Sequence, residues 1–480
     1  MNETPQQRCW GFRAFGAPSS MGRMATRRTF VILGADGDLA ARLLLPGLGQ
    51  LLMHDRRSKL ALVGVGQSAL SDDEWRRRLR AALRADEDDP LVASLEASAR
   101  YRQADATSRD DLQALFDDLP GPVAIYFALP PAVTHAACET LADMDVPAGT
   151  VLALEKPFGT DLESARAFNA LLARLPDGVR VVRVDHFLGK TTVLALTGLR
   201  FANHMFESVW HRDHIERVEV VFDESLALEG RAGYYDRAGA LRDMIQSHLL
   251  QVLALIAMEP PASVESEDMH RAMADVLERT RVWGSDASEA SRRARYTAGS
   301  VGSRVFPDYA AEDGVDPARE TETLTEVTLQ VNAERWHGVP FVLRSGKAIG
   351  RDREEISITL REPSSLPRGF SGEVRRGLRI GMKPERIVLD VAVNRADDLL
   401  ALRTVELASR STEGRLGAYA EVLGGILDGD ELLSVSGPMA EACWRIVTPI
   451  LEAWEEDRVP LEEYPAGSRG PSSWPTTQHD

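Results

Sequence analysis

At 480 residues, with 44% hydrophobic and 27% charged side chains, the chain is long enough for two cores and too apolar for disorder throughout. Its 73 acidic against 56 basic residues leave a formal charge of −17, which repels nucleic acid and anionic membranes, so any anionic ligand needs a local basic pocket. The most apolar run, Leu249 to Met258, falls far short of the roughly 18 residues of a membrane span, and Cys9, Cys138 and Cys443 show neither metal-type spacing nor a disulfide framework, which suits a reducing cytoplasm.

Residues 1–26 carry arginines and a single acid and lack the apolar stretch of a secretory signal. They read as a disordered extension with some likeness to a transit peptide, and Met21 and Met24 stand just before the first strand as alternative starts. Over residues 27–185 short β-rich runs alternate with helical stretches, as in βαβ units of a doubly wound parallel sheet. The strands are expected at Thr29–Leu33, Leu60–Val65, Arg100–Ala104, Pro122–Ala128, Val151–Glu155 and Val179–Val184. Residues 186–465 change character, with long strands at Arg217–Glu224, Thr323–Asn332, Glu355–Arg361 and Arg386–Val393. That clustering predicts an α+β domain on a large, mainly antiparallel sheet. Ser285–Asp316 reads as a long polar loop, and residues 466–480 as a disordered tail.

The first strand is followed by Gly34-Ala35-Asp36-Gly37-Asp38-Leu39-Ala40 and then a helical run. Glycines there let the backbone turn tightly and approach a pyrophosphate, which the helix N-terminus stabilises. A plain strand-to-helix turn has the same spacing, and it is the place after the first strand that favours a dinucleotide. The second strand ends at Gly64-Val65-Gly66-Gln67-Ser68, where an adenine ribose belongs, and no arginine stands there for a 2′-phosphate. The fourth and fifth strands end in Leu129-Pro130-Pro131 and in Glu155-Lys156-Pro157-Phe158-Gly159, at the sheet edge where such folds bind ligands. Pro130 and Pro157 also read simply as strand terminators.

Arg183-Val184-Asp185-His186-Phe187-Leu188-Gly189-Lys190 places an acid, an imidazole and an ammonium within eight residues after a strand. His186 and Lys190 suit a phosphate monoester, with a solvated loop as the bland alternative. On the helix expected over Ala238–Ala257, Leu241, Ile245, Val252 and Ile256 share a face at 100° per residue and His248 lies at its edge, pointing inward. A buried histidine is more often a satisfied core residue than a catalytic one, so its partner decides. On the same wheel Asp243 stands about 140° from His248, so the two flank something larger than one hydrogen bond.

Five blocks in register make the chain resemble the glucose-6-phosphate dehydrogenase family over about residues 28–460: Gly34 to Ala40, Glu155 to Gly159, Arg183 to Lys190, Gly233-Tyr234-Tyr235-Asp236 through His248-Leu249-Leu250, and Val339-Pro340-Phe341 through Gly346-Lys347. The resemblance implies oxidation of glucose 6-phosphate to the 6-phosphogluconolactone with NADP or NAD, the first step of the oxidative pentose phosphate pathway, by a cytoplasmic homodimer or homotetramer. It implies that His248 is the general base and Asp185 its orienting carboxylate. His186, Lys190 and the position of Phe187 would hold the 6-phosphate, Lys156, Glu224, Asp243 and Lys347 the sugar hydroxyls. Gly34, Asp36, Gly37, Asp38, Leu39, Gln67, Ser68, Leu129, Pro130 and Lys156 would line the dinucleotide, with Pro157 at a hinge between domains. No metal is implied.

Departures from the family pattern cluster in two places. Phe187 stands where a tyrosine is usual, Thr191-Thr192-Val193-Leu194-Ala195 replaces Glu-Thr-Val-Gln-Asn, and His211 replaces an asparagine. One hydroxyl contact to the phosphate is then missing, worth about 1.5 to 3 kcal/mol. In the cofactor pocket Gln67 takes the place of the 2′-phosphate arginine, Asp36 that of a serine or threonine, and Leu43 that of a lysine. Each lowers positive charge, so NAD is expected to serve at least as well as NADP. Two alternatives stand beside this reading: a dehydrogenase of another sugar or sugar phosphate, and a non-catalytic sugar-phosphate or nucleotide binder. Loss of His248 or Asp185 would mark the latter, and both are present.

Overall fold

Val31, Ile32 and Leu33 are fully buried in the first strand because helices cover both faces of its sheet, which makes the strand a continuous apolar run rather than an alternating one. The computed structural model describes residues 28–54, 60–83, 89–119, 123–230, 232–409 and 416–474. The expected extension 1–26 and the last six residues, 475–480, lie outside them.

Six parallel strands form the first sheet: β1 Arg28–Leu33, β2 Leu60–Gly66, β3 Arg100–Gln103, β4 Val123–Phe127, β5 Val151–Leu154 and β6 Arg180–Arg183. Their order is β3-β2-β1-β4-β5-β6, the doubly wound arrangement with its switch point between β1 and β4. One apolar cluster, around Phe30, Leu48 and Trp75, fills one face, and another, around Val31, Ile125 and Phe168, fills the other. Helix 418–428 belongs to the first of these clusters through Ala420, Leu423 and Ile426, so a late segment of the chain returns to close the N-terminal sheet.

The second sheet holds ten strands among the described residues: β7 Ile215–Asp223, β8 Thr280–Val282, β9 Ser291–Thr297, β12 Leu324–Val331, β13 Phe341–Gly346, β14 Arg353–Leu360, β15 Gly377–Lys383, β16 Glu385–Asn394, β17 Leu402–Ala408 and β18 Leu461–Pro465. Between them, β10 Gly299–Val301 and β11 Arg304–Phe306 form a separate hairpin. Most pairs are antiparallel, but β7 runs parallel to β13 and β9 parallel to β18. A two-domain plan of Rossmann-type sheet followed by α+β domain is therefore what the chain adopts.

Three expectations are corrected. The polar stretch 285–316 is not a loop: it contains β9 and the β10–β11 hairpin. Charge concealed the strand, because Arg293 is buried in β9 with its guanidinium donating to the carbonyls of Val459 at 3.0 Å and Trp454 at 3.3 Å. The tail is ordered through Trp474. Gly467 N–H donates to the Ala348 carbonyl at 2.8 Å, Arg344 to that of Arg469 at 2.7 Å, and the buried Trp474 indole to Glu462 at 2.7 Å. Its Ser, Pro and Gly content suggested disorder, whereas one tryptophan and paired backbone groups suffice to dock it.

The third correction concerns the helix that carries His248. Gly239 breaks it at φ 68°, and Leu241–Leu249 is wound as a π-helix before α-helix resumes at Leu250–Ala257. Hydrogen bonds there span five residues, so positions 243 and 248 stack on nearly one face and not 140° apart. A Cβ at position 239 would lie 2.4 Å from a Glu322 oxygen, and the same carboxylate accepts the Leu241 N–H at 2.9 Å. Glu322 thus anchors the start of the widened turn.

Candidate active site

Strand ends bring the site together. Lys156 follows β5 and Asp185 follows β6, both at the carboxyl edge of the parallel sheet. Glu224 and Lys347 follow β7 and β13, whose parallel register sets Asp223 beside Gly346. The next residues on each strand are then neighbours, and the Lys347 ammonium donates to Glu224 at 2.8 Å. The π-helix adds Asp243 and His248 from the second domain.

His248 Nδ1 lies 2.6 Å from Asp185 Oδ1, and both side chains are 2% exposed. Burial pushes the His248 imidazole below its ordinary value, against the pull of Asp185. Burial would raise Asp185, but His248, His186 and the Phe187 N–H, which donates to Oδ1 at 2.9 Å, hold it low. The pair therefore rests as carboxylate and neutral imidazole. An ionised carboxylate only accepts, so Nδ1 carries the proton and Nε2 keeps its lone pair for another donor. A core histidine would be satisfied by such a bond and nothing more. Here Lys156, Asp243, His186 and Phe187 surround it.

Lys156 donates to Asp243 Oδ1 and to the Asp243 carbonyl, each at 2.8 Å. Burial alone would depress the Lys156 ammonium, but Asp243 and Tyr234 hold it above its usual range. Asp243 is correspondingly driven well below that of an ordinary carboxylate, burial notwithstanding, by Lys156 first and Lys347 after it. The Tyr234 hydroxyl adds a bond to Asp243 at 3.1 Å. Phe187 stacks on the His248 ring, 4.2 Å between centroids at 13°, so the residue that lacks a hydroxyl packs directly against that imidazole. His186 stacks on Tyr419 at 5.1 Å, and burial, then His248, pull it down to about 3. It offers a neutral donor rather than the charge expected for a phosphate ligand. Lys190 reaches Glu354 at 2.9 Å.

At the other end of the cleft Gly34 takes φ 81°, and a Cβ there would lie 2.3 Å from the Ala128 carbonyl oxygen, which only glycine avoids. Its N–H and that of Ala35 both donate to the Val65 carbonyl, at 2.8 and 3.0 Å. Leu129 packs on Gly34, Leu39 is half-buried, and Gly37, Asp38, Gln67, Ser68 and Pro130 are exposed around the turn. Asp36 folds over the end of β2. Its carboxylate accepts from the Ser68 backbone N–H at 3.1 Å and from the Ser68 hydroxyl, beside Gly66 and the Tyr101 hydroxyl. Burial and then Asp36 push Tyr101 up to about 12, with Arg78 opposing.

Sequence reasoning missed Glu354, Tyr419 and Arg78. Glu354 is one of two adjacent acids in a β-strand, Tyr419 arrives from a helix more than 230 residues after His186, and Arg78 is one of three consecutive arginines on helix 72–83. No local motif distinguishes any of them.

The glucose-6-phosphate dehydrogenase NAD-binding domain family matches residues 31–195, and the glucose-6-phosphate dehydrogenase C-terminal domain family residues 197–478. The chain belongs to the glucose-6-phosphate dehydrogenase family. It is 37% identical over 463 residues to a glucose-6-phosphate 1-dehydrogenase of Gluconobacter oxydans, covering 92% of this chain and 94% of that protein. It is 34% identical to that of Treponema pallidum, covering 92% of each. Among solved structures, a glucose-6-phosphate dehydrogenase in complex with its substrate glucose-6-phosphate superposes with a TM-score of 0.84 at 29% identity, covering 94% of this chain and 97% of that one. A glucose-6-phosphate 1-dehydrogenase from Mycobacterium avium gives 0.81 at 30%, covering 94% and 96%. Family membership makes the chain an oxidoreductase acting on a CH–OH group with a nicotinamide dinucleotide. No helix among the described residues is long and apolar enough to cross a membrane.

Proposed function

We propose that this protein oxidises D-glucose 6-phosphate at C1 to 6-phospho-D-glucono-1,5-lactone. The buried contact of His248 with Asp185 carries the reading, because it leaves an unprotonated Nε2 beside charged groups that bind hydroxyls. When bound, the dinucleotide supplies the hydride acceptor. His248 removes the C1 hydroxyl proton as the hydride departs, and Asp185 stabilises the imidazolium that forms. Lys156, Asp243, Glu224 and Lys347 form preset donor–acceptor pairs for the ring hydroxyls. Lys190, with His186 as a neutral donor, faces C6.

We further infer that NAD serves at least as well as NADP. Gly34 lets the turn after β1 pack tightly against Ala128 at the sheet edge where a pyrophosphate would lie, and Asp36, set over the end of β2 with Ser68, suits ribose hydroxyls as donors. A 2′-phosphate there would meet the Asp36 carboxylate, with exposed Gln67 and Leu43 adding no positive charge. The cation facing this end of β2 through Tyr101 is Arg78 on the neighbouring helix 72–83. Steady-state kcat/KM with each dinucleotide at equal ionic strength tests this, and an NADP preference of roughly a hundredfold refutes it.

Two further expectations stay with this proposal. Exposed Leu399, Leu400 and Leu407 on and beside β17 support assembly of two or four copies through the second sheet. Buried free thiols at Cys138 and Cys443, both pushed up by burial, suit a reducing cytoplasm.

A further inference from the structure

The C6 end of the sugar pocket is poorly equipped for a doubly charged group. Among the described residues Lys190 is the ammonium at that end, and it is already satisfied: it donates to Glu354 Oε2 at 2.9 Å and lies 4.6 Å from the Phe187 ring centroid and 4.9 Å from that of Phe222. The arrangement follows from register. Glu354 on β14 pairs directly with Phe222 on β7, so both side chains rise from the same face of the sheet and frame the lysine between them. Neither charge is free to reorient into solvent, with 19% of the Lys190 side chain exposed and 8% of the Glu354 side chain. Phe187 brings no hydroxyl, and His186 stays neutral. Around the whole pocket Lys156, Lys190 and Lys347 each face their own carboxylate, Asp243, Glu354 and Glu224, while Asp185 remains as a fourth acid.

We propose that Glu354 sets specificity at C6: by neutralising Lys190 it lets the pocket accept aldohexoses with a free 6-hydroxyl, D-glucose being the simplest, as well as their 6-phosphates. The proposal rests on the reading above that Lys190 faces C6. An ammonium beside a carboxylate offers one donor and one acceptor, which a hydroxyl matches with its own oxygen and proton. A phosphate dianion brings acceptors alone, so it must displace Glu354 from Lys190 or lie against a like charge. The chemistry at C1 needs no change. The C1–H bond breaks toward the oxidised dinucleotide as hydride, the O1–H proton passes to His248, and the C1–O1 bond becomes the carbonyl of glucono-1,5-lactone.

The measurement is kcat/KM for glucose 6-phosphate and for glucose, with the wild-type protein and with Glu354→Gln, which keeps the side chain's volume and removes its charge. The wild type is expected to favour the phosphate by roughly 10- to 150-fold, the worth of one net charge-assisted hydrogen bond. Glu354→Gln is expected to raise that ratio by tenfold or more, because Lys190 is then free for the phosphate. A repositioned helix or strand would slow both sugars together and leave the ratio alone. A wild-type ratio above roughly 10⁴ overturns the proposal even if the variant does not fold. Should the wild type oxidise neither sugar, the functional reading fails, and calorimetric titration of glucose 6-phosphate into both proteins still decides the role of Glu354. A tenfold tighter Kd in the variant supports it, and equal Kd values overturn it.

Discussion

Replacing Asp185 with asparagine removes a buried charge without removing volume. In the wild type the carboxylate accepts from His248 Nδ1 at 2.6 Å and from the Phe187 N–H at 2.9 Å. With charge centres about 4 Å apart and an effective dielectric constant near 20, the carboxylate stabilises the imidazolium formed during proton abstraction by about 4 kcal/mol. At 1.36 kcal/mol per factor of ten, kcat should fall about a thousandfold. The amide adds a second fault, since its NH2 can donate to Nδ1 and move the imidazole proton to Nε2, where the base should be. The acid limb of kcat/KM moves in a defined direction. A base must be neutral, so activity rises with pH through the His248 pKa, which burial already places below the ordinary 6.5. Asp185 is the largest influence raising it, so the variant's limb shifts to lower pH still. The assay is the appearance of reduced nicotinamide from pH 4.5 to 9, beside a thermal melt, because Asp185 Oδ2 is buried without a partner among the described residues and an amide there costs about 1 to 3 kcal/mol. A folded variant whose kcat stays within tenfold of wild type, or a wild-type limb above pH 7, refutes the reasoning.

Lys190→Ala should raise KM for glucose 6-phosphate with little change in kcat, since its charge meets the phosphate equally in ground and transition states. A fall in kcat alone would remove Lys190 from the phosphate. Gly34→Ala should place a methyl 2.3 Å from the Ala128 carbonyl oxygen at a φ of 81°, costing about 2 kcal/mol or more and weakening dinucleotide binding. A melt and a fluorescence titration with reduced dinucleotide check this, and wild-type values in both would show that the turn tolerates a side chain.

The central parallel strands β1, β2, β4 and β5 were the most legible part of the fold because, buried on both faces, they read as short apolar runs, and with the more polar edge strands β3 and β6 they begin and end within one or two residues of expectation. The Asp185 and His248 pairing was legible only through the family resemblance, since 63 residues separate them. Helical periodicity misplaced Asp243 because a wheel drawn at 100° per residue presumes an α-helix, whereas Gly239 and the buried Glu322 impose a wider turn. β9 and residues 466–474 were hidden for a related reason: the buried Arg293 and the docking of Trp474 depend on carbonyls and carboxylates supplied by distant strands. Glu354 shows the same limit at the site. Nothing near it in sequence says that β7 will set it opposite Phe222, where it meets Lys190.

Single-turnover transfer from glucose 6-phosphate deuterated at C1 follows the hydride itself and shows whether His248 takes the proton as C1 gives it up. The wild type should deliver the deuterium to the nicotinamide ring, and His248→Ala should slow that step by roughly 10² to 10⁴. Deuterium released to solvent, or an unslowed transfer in the variant, would contradict the account.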